Sequence, residues 1–187
     1  MANRIIKVRQ GSILISEPFL LDSYFKRSVI LLTEHDSKGT LGFILNKPTD
    51  VKLNDAVEGF PNFDVPLYFG GPVETDTLFY LHTLGSKLRG AKKICDGIYW
   101  GGDYDQLKLM IDTGQINPEQ IRFYAGYSGW EPKQLDSELK EKSWLLSSGT
   151  KDFTFFDNAK GLWSTVLKSM GSEYAILANF PEDPSLN

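Results

Sequence analysis

Three short apolar runs separated by turn chemistry, at residues 12–16, 28–33 and 40–45, most constrain what this chain can become: its first quarter must fold as strands of a sheet. Each run is rich in β-branched residues and too short for an ordinary globular helix. The middle one, Ser-Val-Ile-Leu-Leu-Thr, has no polar alternation, so neither of its faces can meet water and it is expected at the centre of the sheet. Between the second and third runs, His35-Asp36-Ser37-Lys38-Gly39 supplies turn residues and a glycine that tolerates positive φ, which predicts a hairpin. Asn46-Lys47-Pro48 should end the third strand, because proline offers no N–H to a ladder and restrains the residue before it.

A loop with one short helix at 53–57 is expected next. Strands follow at 67–69 and 78–81, separated by Gly70-Gly71-Pro72 and an acidic turn at 74–76, and another runs over 94–100. Helical signals then begin: Asp103 is an N-cap, Tyr104, Leu107 and Ile111 recur at helical spacing, and Gly114 stands where a terminating glycine belongs. Asn117-Pro118-Glu119 reads as a turn or a single helical turn. Ile121, Phe123 and Ala125 alternate as a half-buried strand that Gly126-Tyr127-Ser128-Gly129-Trp130 closes. A helix opening at Pro132 stacks Leu135 on Leu139 and sets a Glu138–Lys142 pair on its exposed face, worth only ~0.2–0.5 kcal/mol. Residues 144–147 suit a short strand. A last helix, started by Asp157, gathers Leu162 or Trp163, with Val166, Leu167 and Met170, on one face and stops at Gly171. Hairpin strands first and helices mostly later predict an α+β fold with an antiparallel-rich sheet. No repeat or break in composition divides the chain, so 1–187 reads as one domain, with about ten N-terminal and eight C-terminal residues loosely held.

Composition narrows the functions open to such a domain. The formal charge of −4 argues against a chain built to neutralise many phosphates, although the imbalance is uneven. Residues 1–96 carry 12 basic and 11 acidic groups, and 97–187 carry 8 and 13. A modest basic face in the first half is therefore compatible with the sequence. Cys95 is the sole cysteine, which excludes an intrachain disulfide, and no apolar run approaches the ~20 residues that span a bilayer. These features lead us to expect a cytoplasmic protein without membrane contact.

Incomplete motifs dominate the remaining chemistry. A nucleophile elbow needs glycine two residues to either side of its serine, but Gly126-Tyr127-Ser128-Gly129-Trp130 places Trp130 where the second glycine belongs. His35 and His82 are the only imidazoles; His82, inside an apolar strand, is the better general-base candidate, against the simpler reading of a core histidine satisfied by hydrogen bonds. Two histidines so far apart set no metal-ligand spacing, and Asp103 and Asp105 lack the later glycine and glutamate of a calcium loop. Neither Gly70-Gly71 nor Gly101-Gly102 belongs to a phosphate-binding pattern, though their N–H groups can line an anion-binding concavity. Two speculative sites remain. One is a pocket around His82, Asn46, Gly70 and Gly71; the other is a basic patch of Lys87, Arg89, Lys92 and Lys93, which the simpler reading treats as solvated charge on a loop.

Taken together, Gly11-Ser-Ile-Leu-Ile-Ser-Glu-Pro18, Phe25-Lys-Arg-Ser-Val-Ile-Leu-Leu32, Gly39-Thr-Leu-Gly-Phe-Ile-Leu-Asn-Lys-Pro48, Gly70-Gly71-Pro72-Val73, Leu81-His82, Gly97-Ile98-Tyr99-Trp100-Gly101-Gly102 and Gly126-Tyr127-Ser128-Gly129-Trp130, followed by Gln134-Leu135 and Glu138-Leu139, resemble the AlgH/YqgE family of bacterial proteins. The resemblance runs from about residue 11 to 175. It implies a bent, partly barrel-like sheet flanked by helices, and it brings the label of transcriptional regulator that members carry after the link of AlgH to alginate synthesis. It transfers no catalytic or ligand residue and no cofactor. Ser128 stands where the family pattern expects alanine, and Glu131-Pro132-Lys133 replaces the glycines expected after the tryptophan. The resulting expectation is a non-catalytic regulatory or protein-interaction domain with an unidentified protein partner. Direct DNA contact, and a small-ligand site or enzyme near His82, are the alternatives.

Overall fold

The computed structural model describes residues 7–180, so the expectation of loosely held ends falls largely outside them. The architecture is α+β. Strands β1 (Ser12–Ser16), β2 (Val29–Asp36) and β3 (Gly39–Ile44) form an antiparallel meander; β4 (Pro48–Lys52) and helix α1 (Leu53–Ala56) lead to β5 (Pro66–Phe69) and the long β6 (Val73–His82). After β7 (Lys92–Cys95) and β8 (Ile98–Trp100) come α2 (Tyr104–Asp112), β9 (Ile121–Trp130), α3 (Gln134–Lys140), β10 (Trp144–Ser148), α4 (Lys151–Thr154), α5 (Ala159–Ser169) and α6 (Ser172–Leu177). The strand order is β10-β1-β2-β3-β9-β6-β8-β7, with β5 beside β9 and β4 outside β5. Among the described residues only the β5–β9 pairing is parallel. The sheet curls into a half-barrel, and the side chain of Gln10 reaches across to donate to the carbonyl oxygens of Lys93 (2.7 Å) and Ile94 on its far end.

The continuous apolar runs of the first strands follow from having both faces of the sheet covered. Ile13, Ile15, Val29, Leu31 and Phe43 point into the curl, where α5 contributes Leu162, Trp163, Val166 and Leu167. Leu14, Ile30, Leu32 and Ile44 point outward against Leu135 of α3, Trp130 and Trp144. A third cluster sets α2 (Leu107, Met110, Ile111) and the loop residues Phe60 and Phe63 against Phe123 and Tyr80. The α2 boundaries are those the sequence predicts: the Asp103 carboxylate accepts from Gln106 N at 2.9 Å and Gly114 has φ +68°.

Several elements differ from expectation. Pro48 does not merely end β3; it opens β4, a place where its missing N–H is harmless. The run 94–100 is not one strand but two, folded back at Gly97 (φ +73°). Strand β9 does not close at Ala125; it continues to Trp130 because Gly126 (φ +69°) takes up a bulge. Opposite it, the acidic segment 74–77 is a bulged stretch of β6, between the pairs Val73–Tyr127 and Leu78–Ala125. Helix α3 starts at Gln134, since Lys133 is left-handed (φ +67°), and α5 is capped by Asn158 rather than Asp157. Helices α4 and α6 have four and six residues and present too little periodicity to be read from sequence.

Candidate functional site

The residues that sequence reasoning grouped as a pocket have separate structural partners. His82 is fully buried near the end of β6, takes the N–H of Leu84 at Nδ1 (3.2 Å), and therefore carries its proton on Nε2, which donates to the Gly101 carbonyl at 2.9 Å. Asn46 accepts from Val29 N (2.9 Å) and donates to the Arg27 carbonyl (2.8 Å), tying β2 to the end of β3. Gly70 and Gly71 lie where β9 exchanges one neighbour, β5, for another, β3. Gly70 N donates to Ala125 O, while Gly70 O accepts from Ile44 N (3.0 Å) and from the buried Ser128 hydroxyl (3.1 Å). Among the described residues no hydrogen bond joins His82 to Asn46.

Burial holds the His82 pKa below its ordinary value of 6.5, against the opposing pull of the Gly101 carbonyl. As pH falls through 6.5 the unfolded chain takes up the proton first, so stability present above that value declines below it. His82→Gln, which keeps a donor and an acceptor, should remove this component. Thermal melts from pH 7 down to about 5.5 should show a smaller loss of Tm for the variant than for the parent chain; parallel curves would show that His82 does not titrate on unfolding.

The basic residues are mostly neutralised. Arg89 pairs with Asp103 (2.8 Å) and Lys93 with Asp96 (3.4 Å), while Lys92 pairs with Glu34 (2.7 Å) and lies 5.6 Å over the Trp100 ring. Lys87 stays exposed beside the Gln106 amide, which donates to its carbonyl. Lys92 and Lys93 sit on β7 rather than on the predicted loop. Cys95 is half-buried, and that burial pushes its thiol pKa up, away from a reactive thiolate.

A wide cleft of ≈ 610 Å³ occupies one end of the half-barrel, at sites the sequence did not connect. The β2–β3 hairpin contributes Glu34, Asp36, Lys38 and Leu41; β9 contributes Tyr127, Gly129 and Trp130; Val73 of β6 and Glu131 complete the rim. Gly129, directly opposite Leu41, carries no side chain, and the Tyr127 ring lies within 3.3 Å of where its Cβ would stand. The Tyr127 hydroxyl is pushed up in pKa by partial burial first and then by the neighbouring Glu74 carboxylate. Glu74 itself is held left-handed (φ +49°) in the bulge. Three carboxylates and one ammonium thus line the groove, Glu34 already paired with Lys92, with Glu74 at its margin. The acids come from positions up to 97 residues apart, Glu34 to Glu131, so no local motif could have announced them. No imidazole or thiol lines this cleft. A smaller cleft beside it, sharing Asp36 and Glu131, holds His35, whose ring bonds the Thr40 hydroxyl at 2.7 Å. Among the described residues no group of three or more His, Cys, Asp or Glu side chains is placed to hold a metal ion, and no helix is long and apolar enough to cross a membrane.

Comparison with known proteins matches this chain to one family over most of its length: the AlgH-like family model covers residues 13–175. A UPF0301 protein of Chlorobium limicola is 46% identical over 187 residues, the whole of both chains. Another, from Bacteroides fragilis, is 45% identical over all of this chain and 94% of its own. Among solved structures, the solution structure of the AlgH protein from Pseudomonas aeruginosa has a TM-score of 0.75 at 25% identity, with 97% of this chain and 98% of that one covered. The crystal structure of a Corynebacterium diphtheriae protein has a TM-score of 0.78 at 20% identity, covering 94% of each chain, and is a likeness of fold alone.

Proposed function

The chain belongs to the AlgH-like family, and from that footing we propose that it is a non-catalytic, cytoplasmic protein-interaction domain that holds a basic, extended segment of a regulatory partner in the acidic cleft. The observation that carries this reading is the composition of the cleft: the apolar side chains of Leu41, Val73 and Tyr127 beside the carboxylates of Asp36 and Glu131, with Glu34 already paired to Lys92. An apolar side chain of the partner packs on Leu41 and the Tyr127 ring, while its Lys and Arg side chains reach the carboxylates. Opposite charges steer the encounter and select the partner more than they add affinity, so binding should weaken with salt. Direct DNA binding draws less support, because three of the four cations in the basic stretch already have carboxylate partners.

A short peptide of alternating Lys and Val tests this. Titrated at low ionic strength, it should shift the amide resonances of Leu41, Val73 and Gly129. The double variant Asp36→Lys/Glu131→Lys should lose at least about tenfold in affinity, equivalent to 1.4 kcal/mol. Equal binding by the parent chain and the double variant, or shifts confined to another face, would remove the cleft from consideration.

A further inference from the structure

At the end of β9 remote from the acidic cleft, a smaller cleft of ≈ 210 Å³ opens between the first residues of β5 and β9 and the chain that follows α4. It shares no residue with the acidic cleft. Arg122, half-buried, stands in its wall against two rings, with the guanidinium carbon 4.9 Å from the centre of Tyr68 and 5.9 Å from that of Phe155. Its Nη1 donates to the carbonyl oxygens of Thr154 (3.0 Å) and Leu45 (3.5 Å), and Nη2 donates to that of Phe156. These bonds dock the end of α4 but bring no negative charge to the guanidinium. Three acceptors for five N–H groups also leave two over. One of these is Nε–H, which has no acceptor and is not shut off from solvent.

Carboxylates line the same cleft, yet none of them takes up that charge. Asp64 is paired with Lys52 at 2.7 Å. The side chains of Glu119 and Asp157 are exposed and, among the described residues, have no hydrogen bond or ion pair; neither comes within 4.0 Å of the Arg122 guanidinium, the reach of an ion pair. A half-buried cation and two free acids thus line one cleft without meeting, beside the apolar surfaces of Pro66, Tyr68, Pro118 and Phe155. A ligand of one charge would suit one side and be repelled by the other, whereas a molecule carrying both charges close together suits both. The volume, below the roughly 300–1,000 Å³ of sites for drug-sized ligands, restricts that molecule to a small one. We propose that this cleft binds a free α-amino acid with an apolar side chain, its carboxylate on Arg122, its ammonium on Glu119 and Asp157, and its side chain against Tyr68 and Pro118.

Titration of the full chain with L-leucine, followed by amide resonances, provides the test. Saturable shifts over the millimolar range are expected at Tyr68, Arg122 and Phe155. N-acetyl-L-leucine keeps the carboxylate and lacks the ammonium, L-leucinamide the reverse, and each should bind at least about tenfold more weakly than L-leucine. The double variant Glu119→Gln/Asp157→Asn removes two charges that have no partner in the fold. It should lose at least about tenfold in affinity for L-leucine, bind N-acetyl-L-leucine no more weakly than the parent chain does, and keep the rest of the amide spectrum unchanged, a combination that a damaged fold would not produce. Absence of saturable shifts with L-leucine and L-phenylalanine alike, equal binding of L-leucine and either blocked form, or full affinity in the double variant would each overturn the proposal. Peptide binding in the acidic cleft is expected to be unchanged in this variant, so the two readings stand or fall separately.

Discussion

Gly70→Ala should fail to accumulate as folded protein, with a loss of at least about 4 kcal/mol if any soluble material can be unfolded reversibly. The reason is space. An ideal Cβ at Gly70 would lie 2.2 Å from the Gly126 carbonyl oxygen, 3.0 Å from Phe43 Cδ1 and 3.1 Å from Tyr124 Cβ. The first of these is backbone, and the other two belong to fully buried aromatic side chains. Gly70 cannot retreat either, because its N–H and C=O are held by Ala125 and Ser128 of β9 and by Ile44 of β3. Any shift that relieves the overlap opens the junction between β5, β3 and β9. Gly114→Ala is the control: that glycine, unlike Gly70, has positive φ, but it has nothing within 4 Å of its ideal Cβ, so only the ordinary left-handed cost of about 1–2 kcal/mol applies. Soluble yield and urea unfolding of the two variants would separate them, and similar stability for both would show that the junction can relax.

This junction marks the boundary of what the sequence discloses. The first three strands and α2 were legible because their signals are local: uninterrupted apolar runs, a cap, a spacing and a closing glycine. Gly70-Gly71 was legible only as a turn, because the carbonyl that excludes a Cβ belongs to Gly126, far along the chain. Strand β9 shows the same limit. Its glycines suggest an end, yet Gly126 allows a bulge that keeps ten residues in one strand, and this places Tyr127 and Gly129 in the cleft. Asn46 and His82 stood out correctly as polar residues in apolar surroundings, but their hydrogen bonds, to Val29 and Arg27 in one case and Leu84 and Gly101 in the other, are properties of the folded chain. The acidic cleft had no signature in sequence, because its carboxylates converge from the β2–β3 hairpin and the segment after β9.

Glu138 shows how far a local reading can underestimate a residue, and Glu138→Ala should cost about 2–6 kcal/mol. Helical spacing pairs Glu138 with Lys142 on an exposed face, but α3 ends at Lys140 and Lys142 is left-handed at φ +62°. Instead the Glu138 carboxylate turns to the sheet: Oε2 accepts from the indole N–H of Trp130 at 2.8 Å and of Trp144 at 2.7 Å, while Oε1 accepts from the Gln134 amide at 2.9 Å. Both tryptophans are nearly buried, 5% and 4% exposed, and they meet edge to face at 6.0 Å. Truncation leaves two indole donors facing apolar neighbours, each costing about 1–3 kcal/mol. Glu138→Gln retains one acceptor oxygen and should fall between the parent chain and the alanine variant. Because Trp130 ends β9 and Trp144 begins β10, the carboxylate also fixes how the cleft wall and β10 sit against α3. The alanine variant should therefore shift both indole N–H resonances and weaken peptide binding along with stability. A loss within about 0.5 kcal/mol, the range of an unremarkable surface substitution, would mean that other acceptors can replace the carboxylate.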